Sequence, residues 1–316
     1  MRISIDWCRF RTRSTPWEVL EALRPSFGTV APLLSLVDAG SGRDGWERRQ
    51  LIKLAGDLQL GEIDYGGETQ RGWVRVNFPG KGCEWVQDWG AFANAGKGLI
   101  DAEPRRVDVA LTTFDGSVTH ETVLDAHAKG LFSAGGRSPK LRQVTGSDPL
   151  DGRTVYVGSR ESEKFVRCYE KGRELLNKIG VPEGVKKQVQ KIEFDGVGMV
   201  DVDKIYRCEV EFKSSSERVI PWTILQTPQS FFAGANPFFA SLVPSVVSRS
   251  IQRMPDFDSR LALLVQAENL RIAYGGVLRA LLDAYDNDLA LVMSMVTADR
   301  PSERLVRDGV LTVSHH

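Results

Sequence analysis

The stretch Ile205–Lys213, IYRCEVEFK, alternates charged and apolar side chains. A period of two belongs to a β-strand, in which successive side chains point to opposite faces. Arg207, Glu209, Glu211 and Lys213 share one face; Tyr206, Cys208, Val210 and Phe212 share the other. The same reading applies to Gly72–Phe78 (GWVRVNF), a half-buried strand, and to Arg106–Leu111 (RVDVAL). Ile3–Phe10, Thr154–Val157 and Lys164–Glu170 complete the set of expected strands, with a short one around Leu141–Val144 inside the Gly-, Ser- and Pro-rich loop Ser133–Leu150.

Helices fall between these strands. Thr15 is placed to cap a helix over Pro16–Leu23, with Pro16 at its first position. Thr119 is placed to cap another from His120 to about Lys129, and Glu174–Ile179 begins a third. After Pro221 the texture changes to phenylalanines among small residues and prolines. Ser259–Met295 then carries a helical period, with a break or close packing expected at Gly275-Gly276. The expected fold class is α+β: a largely antiparallel sheet body with flanking helices and a helical C-terminal segment. The expected division is a strand-rich domain over residues 1–220 and a helical segment over 221–316. Ile5-Asp6-Trp7 echoes Val107-Asp108-Val109, which raises a duplication of a strand-rich unit.

Composition narrows the function. The 316 residues carry 41 Lys+Arg and 41 Asp+Glu, so the chain as a whole is no polybasic nucleic-acid coat. The charge is uneven, however. Arg137 to Lys191 holds thirteen cations against seven anions, a local surplus suited to a polyanion. The four cysteines are far apart and form no zinc or disulfide pattern. Neither an apolar signal region nor a membrane-spanning run is present, and a reduced, cytoplasmic protein is expected. No GxxxxGK[ST] loop occurs, which excludes a P-loop ATPase. The four histidines form no His-hydrophobe-His pair, so a nuclease built on that motif is excluded. Gly80–Cys83, Gly66-Gly67 and the glycines around Gly96 read as turns.

Three strands hold residues suited to phosphate chemistry. In Lys164–Lys171, alternation puts Phe165, Arg167, Tyr169 and Lys171 on one face. A tyrosine between two cations is the setting in which a phenolate is favoured and a phosphate attracted. Such a tyrosine suits nucleophilic attack on a phosphodiester; a solvated strand face fits the same pattern. If the strands bearing Asp108, Glu209 and Glu211 adjoin it, those carboxylates meet Tyr169 around one hard cation, Mg²⁺ or Mn²⁺. Paired surface charges are the alternative.

The run Tyr156–Glu174, YVGSRESEKFVRCYEKGRE, resembles the signature of the replication initiation factor family of the Rep_trans type. These are rolling-circle initiators of small plasmids and of filamentous phages and their satellites. The matching elements are Tyr156, Gly158, Ser159 and Arg160, then Arg167, Tyr169 and Lys171. Arg106–Ala110 resembles the family's Arg-hydrophobe-Asp strand and Arg207–Glu211 its Arg-x-Glu-x-Glu strand. The resemblance implies an origin-specific nick by Tyr169, leaving a 5′-phosphotyrosyl link, with Arg167 and Lys171 neutralising charge. It implies Mg²⁺ or Mn²⁺ bound by Asp108 and Glu209, with Glu211 beside them. DNA is expected to lie on Arg137, Lys140, Arg142, Arg160, Lys164 and Arg207, as the local basic surplus suggests. The expected partners are origin DNA of its own element, a host helicase and polymerase, and a second copy in a homodimer; no membrane is expected. Residues 221–316 would bind DNA or dimerise. One departure stands out: many relatives carry a second Asp where this chain has Thr112. A regulator that binds DNA without cutting it is the alternative, and Tyr156 is the rival nucleophile.

Overall fold

The computed structural model describes residues 1–55, 57–133, 138–179, 182–252 and 257–298. Twelve strands are formed among the described residues: β1 (Arg2–Thr12), β2 (Leu34–Ser41), β3 (Arg48–Leu54), β4 (Leu58–Tyr65), β5 (Val74–Pro79), β6 (Glu103–Thr113), β7 (Leu141–Thr145), β8 (Arg153–Val157), β9 (Lys164–Tyr169), β10 (Lys191–Phe194), β11 (Gly198–Asp201) and β12 (Tyr206–Lys213). Ten of them make one sheet in the order β2-β3-β4-β5-β1-β6-β12-β9-β8-β7, every pairing antiparallel. β10 and β11 form a separate hairpin. The α+β class with a large antiparallel sheet is therefore the fold.

The strand order repeats. β1 is followed in space by β5, β4, β3 and β2; β6 is followed by β12, β9, β8 and β7. The two halves meet along β1 and β6, where Ile5 is the register partner of Val109. The echo between Ile5-Asp6-Trp7 and Val107-Asp108-Val109 thus falls on the seam between two similarly ordered halves. Each half also places a threonine-capped helix soon after its first strand. Thr15 caps Pro16–Leu23 and Thr119 caps His120–Ala128, both as capping boxes.

The sheet is two-faced. On one side Cys8, Phe10, Val76, Phe78, Val107, Val109, Cys168, Cys208 and Val210 are fully or almost fully buried. They join one core with Val19, Leu20 and Leu23, with Phe92 of the helix Trp89–Gly98, and with Val123 and Ala126. Phe231, Phe232, Phe238 and Phe239 belong to that core too, with the rings of Phe232 and Phe239 stacked at 4.2 Å. Residues 1–215 and 219–251 form one compact unit, so the phenylalanine-rich stretch packs with the sheet. Two expected turns are helical instead. Gly80–Cys83 is a single helical turn, and Gly96 lies within the helix Trp89–Gly98. A Cβ on Gly96 would stand 2.4 Å from the Trp222 ring, so glycine there serves close packing.

The other side of the sheet is lined with charge. In the first half, fully buried Asp64 accepts from Arg49 Nε at 2.7 Å and from Arg75 Nη2 at 2.8 Å. Arg49 also pairs with Glu62 at 3.0 Å. The second compact unit holds residues 216–218 and those from 252 on. Its helices are Phe257–Ala284 and Leu289–Val296. They are separated not at Gly275-Gly276, which lies inside the first of them, but near Asp286 and Asn287, both of which have positive φ. No described helix is long and apolar enough to cross a membrane.

Candidate active site

β6, β12 and β9 lie side by side. Their register builds three rows across the charged face. Thr112, Arg207 and Tyr169 form the first, Ala110, Glu209 and Arg167 the second, and Asp108, Glu211 and Phe165 the third. Residues directly opposite in antiparallel strands share a face, and neighbouring strands are about 4.8 Å apart. Tyr169 is thus set against Arg207, with Arg167 and Glu209 one row away. Asp108 and Glu211 sit two rows from Tyr169, about 13 Å along the strand direction.

Every carboxylate here is held by a cation. Arg106 donates to both oxygens of Asp108, at 2.8 and 2.6 Å, and reaches Glu211 at 2.8 Å. Lys213 takes the other Glu211 oxygen at 2.6 Å. One nitrogen of Arg167 donates to both oxygens of Glu209, at 2.9 and 2.8 Å. Arg207 donates to Thr112 Oγ1 at 2.9 Å and to Asp6 Oδ1 at 2.9 Å. Despite these partners, burial lifts the Asp108 carboxyl to about 7, and burial likewise raises Glu209.

Tyr169 is 7% exposed, with Arg167 4.9 Å and Lys171 5.7 Å from its ring centroid. The cationic setting expected from the strand pattern is present, but it does not win. Burial pushes the Tyr169 phenol above its usual range, and Arg207 and Arg167 only partly offset this. Lys171 reaches the ring from a different element than expected. β9 stops at Tyr169, and Lys171 opens the helix Lys171–Lys178, where it pairs with Glu174 at 2.8 Å. Gly172 lets that helix start close against the turn Val202–Lys204 that leads into β12, since a Cβ there would lie 1.9 Å from the Val202 carbonyl oxygen.

Two cavities flank Arg167. One, of about 420 Å³, is lined by Tyr169, Tyr156, Thr154 and Glu174. The other, of about 260 Å³, is lined by Asp6, Asp108, Glu209 and Glu211. Arg167 lines both. The second has the oxygen donors that a hard divalent cation takes, with carboxylates from three strands, each paired with an arginine or lysine in the arrangement present. Asp108 and Glu209 would hold such an ion, in exchange for Arg106 and Arg167. In the arrangement present, no three metal-ligating side chains converge among the described residues.

The expected DNA-contacting residues divide. Lys140, Arg142, Arg160 and Lys164 are exposed, Lys140 just before β7 and the others on β7, the β8–β9 turn and β9. Arg142 and Arg160 lie 4.9 and 5.9 Å from the Tyr156 ring, and Tyr156 stacks on Phe165 at 5.7 Å. Lys164 donates to the Ala235 carbonyl. Arg207 is buried among the site residues instead of lying open. Arg137 lies outside the described residues. Asp6 was not among the expected site residues. It stands at a β-bulge between Ile5 and Trp7, where simple alternation breaks down, and its only sequence signal was the echo with Asp108.

Residues 103–253 match the replication initiation factor family, Rep_trans. The match spans just under half of the chain. The family region takes in β6, β12 and β9, and with them all three rows of the site. It also takes in the phenylalanine-rich helices that pack beneath the sheet. The fold is similar to that of a rolling circle replication initiator protein from Geobacillus stearothermophilus. The likeness has a TM-score of 0.51 at 17% identity, over 74% of this chain and 83% of that one, and is one of fold. No curated protein matches the chain.

Proposed function

We propose that this chain nicks and rejoins DNA at an origin through Tyr169, starting rolling-circle replication. The observation that carries the reading is the row Thr112–Arg207–Tyr169, a tyrosine set against a guanidinium on the charged face of the sheet. Tyr169 Oη attacks a backbone phosphorus. A bond forms between Oη and phosphorus, the bond from phosphorus to the 3′-oxygen breaks, and the phenol's proton passes through water to the leaving 3′-oxygen. The products are a 5′-phosphotyrosyl link and a free 3′-OH for a polymerase. Reversal of the same step reseals the strand.

The protein's contribution is electrostatic. Tyr169 meets the substrate as a neutral phenol, and burial moves its ionisation further above the usual range. An incoming phosphate brings negative charge to Arg167 and Arg207, which stand ready to stabilise the pentavalent phosphate as its charge grows. Lys171 adds a third cation beside the ring. A Mg²⁺ or Mn²⁺ ion held by Asp108 and Glu209 would supply Lewis acidity toward a phosphate oxygen. Arg137, Lys140, Arg142, Arg160 and Lys164 would grip the backbone. Such contacts position DNA without reading its sequence.

The test is a denaturing-gel assay for a covalent protein–DNA adduct, using supercoiled DNA that carries the chain's own gene and flanks. Wild type with Mn²⁺ is expected to give an adduct, and chelator or Tyr169→Phe to abolish it. An adduct that persists in Tyr169→Phe would sink the assignment. Specific binding to this DNA with no cleavage under any metal would instead make the chain a DNA-binding regulator on an initiator scaffold.

A further inference from the structure

Asp6 lies outside the family-matched span, yet its side chain enters the site. From Trp7 onward β1 alternates strictly: Cys8, Phe10 and Thr12 are buried on the apolar side, while Trp7, Arg9 and Arg11 face the charged side. Carried back one residue, that alternation would turn Asp6 into the core beside Cys8. The bulge prevents this. Ile5 pairs with Val109 and Trp7 with Asp108, so two steps of β1 stand against one step of β6. A bulge of this kind re-aims a side chain, and here it puts Asp6 and Trp7 on the same face. Trp7 lies 4.6 Å from the Arg106 guanidinium, and Asp6 accepts from Arg207 at 2.9 Å.

Arg207 is thereby held at two points. Its Nε donates to Thr112 on β6 and its Nη1 to Asp6 on β1. A threonine hydroxyl supplies a hydrogen bond but no charge. The carboxylate that fixes and compensates this buried guanidinium comes from the other half of the sheet. Of the cations that act on Tyr169, Arg207 has the largest influence.

We infer that Asp6 is a positioning residue, which locks the Arg207 guanidinium beside Tyr169 so that it meets the phosphate as charge develops. The inference rests on the nicking reaction proposed above. On this view the first half of the sheet completes the site in the second, through one residue displaced by one bulge. Loss of a positioning contact is felt in the rate of the chemical step more than in DNA binding, since a shift of about 1 Å at the reacting centre costs about 100-fold.

The experiment follows single-turnover adduct formation by the full chain on the same supercoiled DNA with Mn²⁺. It compares wild type, Asp6→Asn, Arg207→Lys, the double variant and Tyr169→Phe. Asp6→Asn is expected to slow the rate constant about 100-fold at saturating DNA while leaving half-saturation unchanged. A variant that merely folds poorly would lose amplitude and keep its rate constant. In the Arg207→Lys background, Asp6→Asn is expected to cost little more, because its effect runs through Arg207. The inference alone is overturned if Asp6→Asn reacts at the wild-type rate, or if it slows Arg207→Lys by the same factor as wild type. If wild type gives no adduct, or Tyr169→Phe still gives one, the nicking reading fails and the inference falls with it.

Discussion

Asp108→Asn is expected to make the protein more stable at pH 8, and by an amount that depends on pH. In the folded protein, burial lifts the Asp108 carboxyl from its ordinary 3.8 to about 7, against the opposing pull of Arg106. Between those two values the native state binds the proton that the unfolded chain releases. Stability therefore falls as pH rises through this interval, and the full cost is carried above about pH 7. The gap of about 3 pH units corresponds to about 4 kcal/mol. Asparagine keeps an oxygen for Arg106 and never ionises, so the variant escapes the cost. Urea unfolding at pH 5, 6, 7 and 8, with chelator present, measures the difference between variant and wild type, in which other titrating groups largely cancel. That difference should widen in favour of the variant by about 3 kcal/mol from pH 5 to pH 8. A difference that stays flat, or moves the other way, would refute the claim that the folded protein strains to keep this carboxylate charged. The same substitution removes a proposed metal ligand, so the gain in stability should arrive together with loss of the adduct, a trade expected of a functional site.

Two further outcomes concern stability away from the reacting atoms. Asp64→Ala leaves Arg49 and Arg75 facing each other without their shared carboxylate, and should cost about 3–5 kcal/mol in denaturant unfolding; a loss below about 1 kcal/mol would show that Glu62 beside Arg49 and Asp44, 3.0 Å from Arg75, suffice as partners. Gly172→Ala drives a methyl group against the Val202 carbonyl and must displace the start of the helix beside Tyr169; a destabilisation of about 1–3 kcal/mol is expected by thermal melting, and an unchanged melting temperature would mean the helix shifts freely.

Much of the second half of the sheet was legible because its strands keep a clean period of two. β12, β9 and β6 each separate charged from apolar faces, and that separation is what brings Glu209, Arg167 and Tyr169 onto one surface. The helix caps at Thr15 and Thr119 were legible for a local reason, since a capping box is written in four residues. The hairpins of β2, β3 and β4 were not foreseen. β2 is exposed along most of its length and so carries no alternation. Asp6 escaped because a bulge breaks the very period by which faces are assigned. The state of Tyr169 also could not be read from its neighbours in sequence. Flanking cations argue for a phenolate, but desolvation depends on what three strands and a helix bury together, and here it dominates.

The repeated strand order has a consequence for how the molecule is made. In each half the strand beside the seam is the last of that half's strands to be synthesised: β5 closes onto β1, and β12 is inserted between β6 and β9. Pairing β6 with β12 joins residues about a hundred positions apart, the kind of contact that forms late because chain entropy is spent before it is repaid. Asp108 and Tyr169 leave the ribosome well before the strand that links them, which carries Arg207 and Glu209. A nascent chain that has not reached residue 213 thus holds a tyrosine without its guanidinium row. If the chain nicks DNA as proposed, its reacting row is assembled only when translation of the sheet is finished.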